Sequence, residues 1–430
     1  MLVALCLAAV LAAFVFIWRG HDVRLVLLAT AMGIGVLAGQ PGAVFRKTAE
    51  TLADAKFLLP ICSAMGFAHV VRETGCVGSL VELLLRPVAR ARRMVVPGGS
   101  AVAFVVNTAI PSQTSTLAAV GPLSVALMGR IGTSAPQAGA ALVFGASVAG
   151  ALLNPGLAER AALAALVKVP GARVVVPIAP GVLLAFAVGL AVLFVGRRVA
   201  RGADDPLEPQ TRADDAERRS ALKALLPPLP VALLLLSHPA LPTHALLERV
   251  IPRGLEVFTV MLCGSILTIA VATRARARAI RAQLDGMGYA FAHVITIIAV
   301  SAGTAKALEA AGVLGALVDL TSGRAAATFA VAFVLSFVLS VVSGSGTASS
   351  VALITALGPR AAELGVGPLA LGGVILFGAE AGRTTSPVAA VLLFGGQLVG
   401  VPARTLSLRL SLPCFAAGAA GALYCALALG

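Results

Sequence analysis

This chain has little charge. Of its 430 residues, 12% are charged and 59% hydrophobic, where a soluble domain carries about 25% charged residues. That balance excludes a large soluble core and leaves a polytopic, all-α membrane protein. Histidine and cysteine are sparse as well, five and six in number. Cys6, Cys62, Cys76, Cys263, Cys414 and Cys425 make no CxxC or Cys/His ligand spacing. Neither zinc nor disulfides are therefore expected, and no cofactor. There is no HExxH, no GxSxG with plausible partners and no paired aspartate within an apolar run. An enzyme embedded in lipid would need one of these, so none is expected here.

A net charge of +14 would suggest nucleic acid in a soluble protein. Here the basic residues fall between apolar runs, so topology explains them better and no nucleic-acid partner is expected. Leu2–Trp18 lacks a basic n-region and an A-x-A-like cleavage site, and Arg19 and a second apolar run follow it. It reads as a first spanning helix in a lipid bilayer, not a signal peptide.

What is there is hydropathy in blocks. At about 20 residues per span, candidate spans are 2–18, 23–40, 55–72, 136–165 (interrupted), 174–196, 224–240, 255–273, 289–308, 366–395 (interrupted) and 405–428. Two further runs, 94–130 and 325–358, are too long for one helix. Each has a polar centre: Asn107, Thr108, Ser112, Gln113, Thr114, Ser115 and Thr116 in the first, and Ser343, Gly344, Ser345, Gly346 and Thr347 in the second. Non-helical backbone at that depth is tolerated only within protein or beside water. Both runs therefore read as re-entrant hairpins, the alternative being pairs of ordinary helices joined by polar loops.

The stretch Phe377–Pro387 lies between two apolar runs and holds Glu380, Arg383, Thr384, Thr385, Ser386 and Pro387. Intramembrane charge costs roughly 2.5 kcal/mol or more per group and normally lines a pathway. Pro387 removes a backbone donor, so the helix should break there. Asn154 and Pro155 mark the matching break in the interrupted span 136–165. A broken helix with polar ends is how transporters build a binding site; a surface loop is the alternative.

The chain repeats itself. Residues 63–83 match those 237 positions later with seven identities in 21, among them Gly66/Gly303 and Gly75/Gly312. Each half runs helix, helix, helix, amphipathic segment, polar-tipped hairpin, broken helix, helix, the order expected of a duplicated transporter. Arginines at 86, 90, 92 and 93 follow the first Gly75 segment, while those at 274, 276, 278 and 281 precede the second half's third helix. Placing both clusters in the cytoplasm makes the repeats inverted. The expected units are 1–196, a cytoplasmic linker at 197–223, and 224–430, with 238–254 external. Lys306 and Glu309 are spaced to pair structurally, His69 is expected to be structural, and Arg160 is expected to reach the external interface.

These motifs resemble a known family. Leu59–His69, Asn107 with Ser112–Thr116, Gly139–Leu142 with Leu152–Gly156, Ser343–Gly346 and Gly382–Ala390 are similar to the anaerobic C4-dicarboxylate carriers of the Dcu C type. The resemblance runs over most of 55–400. It implies a secondary transporter of the bacterial inner membrane for fumarate-, succinate- or malate-like acids, by exchange or coupled to H+ or Na+. A carrier of another organic anion and the membrane subunit of a binding-protein-dependent carrier remain rivals, and a homodimer is allowed. The residues themselves fit an anion. Half-helix N-termini favour carboxylates, and Arg383 offers a bidentate fork. Hydroxyls and amides from Ser112 to Ser115, Ser345, Thr347, Thr384 and Thr385 can complete the shell. Glu380 and Asn154 are candidates for a coupling cation, Glu380 equally for neutralising Arg383.

Overall fold

A computed structural model describes residues 2–19, 21–110, 112–148, 150–199, 221–243, 255–313, 315–316 and 324–430. Most of the linker expected at 197–223, and 244–254 of the expected external segment, lie outside the described residues. Among the described residues the chain is helical, with no strand. The first half contributes α1 (Leu2–Trp18), α2 (Val23–Leu37), α3 (Pro41–Leu52), α4 (Ala55–Glu73), α5 (Cys76–Arg90), α6 (Val95–Ala109), α7 (Gln113–Arg130), α8 (Ala135–Ser147), α9 (Ala158–Val167) and α10 (Gly171–Val199). The second contributes α11 (Ala221–Leu225), α12 (Leu229–Leu236), α13 (Val257–Ala272), α14 (Arg276–Ala290), α15 (Thr296–Ala310), α16 (Ala325–Ser343), α17 (Gly346–Leu357), α18 (Pro368–Thr385), α19 (Ala390–Val399) and α20 (Ala403–Ala428).

Local chemistry sets these ends. Asp22 caps α2 by accepting from the Arg24 and Leu25 amides, and Asp54 caps α4 through Lys56 N. Pro41 and Pro368 sit in the first turns of α3 and α18, where a missing N–H costs nothing. Gly75 and Gly312, the matched pair that ends the third helix of each half, have φ of +72° and +77°. That left-handed conformation is open chiefly to glycine.

Lipid exposure is written on α20. Leu408, Leu412 and Leu427 are 68%, 69% and 77% exposed, while Leu406, Leu410, Cys414 and Cys425 on the other side are buried. A helix apolar on both faces belongs in a membrane. Five stretches among the described residues are long and apolar enough to cross one: Ala135–Val167, Gly171–Val195, Arg276–Ala310, Ala325–Ser343 and Ala403–Ala428. The pair α3 and α4, bent by 45°, makes a sixth if taken together. Two expected spans differ in form. Residues 224–240 divide into α11 and α12 where Pro227 and Pro228 interrupt the ladder. The span at 289–308 is continuous with α14 through a π-helical turn at Phe291–Ile295. Helices α3 and α14, absent from the sequence reading, are equivalent short segments just before α4 and α15.

The third helices are exchanged between halves. α4 packs against α13 and α14, and α15 against α2 and α3. A Cβ on Gly66 would fall 2.2 Å from Gln283 Nε2 of α14, and one on Gly303 2.1 Å from Thr48 Oγ1 of α3. The matched glycines thus admit matched neighbours. Arg278 pairs with Glu73 at 2.6 Å across the same joint, and Lys306 with Glu309 at 3.1 Å. The inner layer packs α6 on α8 and α16 on α18. These helices hold the polar segments at the centre of the molecule.

Candidate functional site

Four helix N-termini converge on one cavity of about 300 Å³. Gln113, Ala158, Gly346 and Ala390, the first residues of α7, α9, α17 and α19, all line it. Two come from hairpin tips and two from the second pieces of broken helices. The hairpin N-termini are capped from within: Ser112 Oγ accepts from Ser115 N at 3.3 Å, and Ser345 Oγ from Ala348 N at 3.2 Å. No side chain caps α9 or α19. Their first-turn amides face the cavity without a side-chain acceptor, an arrangement suited to a carboxylate.

Arg383 is the cation of this cavity. It ends the first piece of the second broken helix, where the dipole favours positive charge. Its Nη2 donates to Glu380 Oε2, one turn earlier, and to the Ser147 carbonyl at 3.3 Å. With the amide oriented to satisfy both groups, Gln113 Oε1 accepts from Arg383 Nη1 at 2.7 Å and Nη2 at 3.0 Å. Arg383 Nε is buried and without a partner. One half's broken helix is thereby joined to the other half's hairpin tip, and a donor is left over.

The expected polar residues divide into two groups. Ser112, Gln113, Thr114, Gly344, Ser345, Gly346, Thr347 and Arg383 line the cavity. Behind it, the rest brace the breaks. Asn107 Nδ2 donates to Thr116 Oγ1 at 3.4 Å inside the first hairpin. Thr108 Oγ1 donates to the Gly150 carbonyl, and Asn154 Nδ2 to the Thr108 carbonyl at 3.0 Å. Asn154 Oδ1 accepts from Gly156 N, which fixes the chain just past Pro155. Ser115 Oγ accepts from Ser112 Oγ, and Ser343 Oγ donates to the Ser345 carbonyl. Thr384 Oγ1 lies 2.7 Å from Ser147 Oγ, so the two broken helices touch directly. Thr385 and Ser386 are buried ahead of the exposed Pro387. Both amide ends of Asn154 are thus engaged in the brace, and Glu380 is engaged with Arg383.

Two residues at the site were misplaced or missed by the sequence reading. Arg160, expected at the external interface, is fully buried. Hydropathy placed it at an interface, whereas the first turn of α9 is buried within the protein. Glu159, which was not considered, lines the cavity and accepts from Thr347 Oγ1. Its Oε2 has no partner. The signal was present: Glu159-Arg160 is a charged pair in an apolar run, as Glu380 and Arg383 are. Ile61 and Met65 of α4, with Tyr289 and Val294 around the π turn, add an apolar wall.

A helical membrane protein whose hairpin tips and broken helices enclose a polar cavity has the build of a membrane transporter. The chain belongs to the C4-dicarboxylate anaerobic carrier family (DcuC), which matches residues 22–420. It is a multi-pass membrane transporter and not an enzyme. Two relatives from Haemophilus influenzae, both described as putative uncharacterized transporters, are similar to it. One is 28% identical over 30% of this chain and 90% of its own length. The other is 25% identical over 56% of this chain and 88% of its own length. Among solved structures, Neisseria gonorrhoeae MtrF, described among a class of antimetabolite efflux pumps, shares the fold. The TM-score is 0.52 at 13% identity, over 89% of this chain and 83% of that one.

Proposed function

We propose that this protein carries C4-dicarboxylates of the succinate, fumarate or malate class across the bacterial inner membrane as a secondary active transporter. The observation that supports this reading is the meeting of four helix N-termini and Arg383 at one cavity. Partial positive charge from N-termini and a guanidinium fork suit carboxylates, while a neutral substrate would leave them unanswered. Family membership supports the substrate class.

The fixed charges of the centre cancel: Glu159 and Glu380 against Arg160 and Arg383. A dianion therefore enters a site of zero formal charge, and a cation bound with it would offset the excess. Glu380 is one candidate coupling group, engaged by Arg383 in the empty site. Glu159, with one free oxygen on the cavity, joins it as a second. Asn154 is a weaker candidate because both ends of its amide are engaged.

The test is uptake of labelled succinate and a wider acid panel into proteoliposomes, with Na+ and pH gradients imposed separately. Succinate uptake driven by either gradient supports the reading. Transport of other organic anions with succinate excluded overturns the substrate class. The two halves are proposed as inverted repeats flanking a cytoplasmic linker. A tag after Arg278 should then be cytoplasmic and one near Arg324 external; the same side for both would contradict inversion.

A further inference from the structure

Arg160 has a combination of properties that the site described above does not use. Its side chain is fully buried. Nε, Nη1 and Nη2 all lack a hydrogen-bond partner. It sits in the first turn of α9, where the dipole works against a cation. A guanidinium sealed in protein without partners is among the costlier features a membrane protein can carry. Such a group is retained for a partner it meets in another state.

Two carboxylates lie within electrostatic range of it. Glu159 is its chain neighbour, and Glu380 acts on it from α18, against which α9 packs directly. Glu159 already accepts from Thr347 and borders the cavity. Glu380 is buried, and its hydrogen-bonded cation is Arg383. Arg383 is also the cation that lines the cavity, so a carboxylate arriving there competes with Glu380 for the same guanidinium. Once displaced, Glu380 would be a buried anion without a partner, a costly state. One other cation stands in range with its donors open.

We infer that Arg160 is the exchange partner of Glu380: when a substrate carboxylate engages Arg383, the Glu380 carboxylate passes from Arg383 to Arg160. In the empty site Glu380 holds Arg383 and Arg160 is idle. In the loaded site the substrate holds Arg383 and Glu380 holds Arg160, so that Glu380 keeps a cationic partner in both states. The exchange ties occupancy of the cavity to a rearrangement between α9 and α18, which belong to opposite halves. Arg160 is a positioning residue here and does not touch the substrate. The inference rests on the proposed transport function for its trigger but not for its test.

The test needs no substrate. Melting temperature of the purified full-length protein is read for Arg160→Met, Glu380→Gln and the double variant, in the native background and again with Arg383→Met. Removing Arg383 takes away the first partner of Glu380 and should send it to Arg160. The two changes in melting temperature are expected to add in the native background. With Arg383→Met, the double variant should melt higher than the sum of the two single changes predicts. Additivity in both backgrounds, or the same coupling in both, overturns the exchange. A second readout leaves Arg160 in place should its variant not fold. The infrared carboxylate band of Glu380, isolated by difference against Glu380→Gln, should stay at the position of a guanidinium-paired carboxylate in Arg383→Met protein. A band moving to the position of a protonated or unpaired carboxyl contradicts it. A parallel melt of the native protein with succinate separates the two claims: no response to succinate counts against the proposed substrate, while the cycle still decides the exchange.

Discussion

The two broken helices make the same break and carry their charges on opposite sides of it. In the first, α8 ends at Ser147 and Glu159 and Arg160 follow the break, in the opening turn of α9. In the second, Glu380 and Arg383 precede the break, in the closing turns of α18. Glu159 at an N-terminus and Arg383 at a C-terminus each stand where the helix dipole favours them. Arg160 does not. The two breaks thus carry unlike chemistry: an acid on the cavity from one half and a base from the other. The surrounding packing kept its symmetry, since Gly145 admits the Ser100 carbonyl of α6 and Gly378 admits Ser336 and the Phe333 carbonyl of α16.

The sharpest way to break this comparison is at Arg383. Arg383→Gln should abolish transport, and Arg383→Lys should weaken it without mislocalising the protein, because the charge stays and the planar fork goes. Exchanging the pair, Glu380→Arg with Arg383→Glu, separates ligand from scaffold. Recovery of uptake in the swapped protein would make the pair structural and move the substrate elsewhere. A smaller loss is expected at the other half's charge. Glu159→Gln turns the charge-assisted bond to Thr347 into a neutral one, a difference of about 1 kcal/mol, so uptake should fall about fivefold and its dependence on the coupling ion should change. Equal uptake and unchanged ion dependence would leave Arg383 as the cavity's one working charge.

The symmetric part of the comparison predicts the smallest contrast. A Cβ at Gly145 would lie 2.2 Å from Ser100 O, and one at Gly378 2.1 Å from Ser336 Oγ with Phe333 O at 2.6 Å. Gly145→Ala and Gly378→Ala should each lower stability by roughly 1–3 kcal/mol, the usual range for overpacking, and by similar amounts. Thermal melting in detergent reads this directly. A marked difference between the two would mean that the halves diverge in packing as well as in charge.

Much of this was legible in the sequence, and unevenly so. Hydropathy placed α1 at Leu2–Trp18, and the polar interruptions at 107–116 and 343–350 fall where α6 turns into α7 and α16 into α17. Such signals survive because lipid punishes polar backbone at depth. The short helices α3 and α14 were not legible. α3 carries a mixture of charged and apolar residues, and α14 reads as a basic cluster between spans. Arg383 stood out because its flanks are apolar on both sides. Arg160 was expected at the external interface, because nothing in the sequence reports that the first turn of α9 points into the protein. Asn154 looked like a ligand by composition, and only the fold shows that its amide closes the break between Thr108 and Gly156.

The central claim is that both hairpin tips and both broken helices meet at one substrate cavity. Single cysteines at Thr114 and Ser345, one on each tip, test it most directly in proteoliposomes. Both should react slowly with a membrane-impermeant maleimide, and succinate should protect both over the same concentration range. Fast labelling at either position, indifferent to succinate and to every other acid transported, would place that tip at the surface and contradict the shared site.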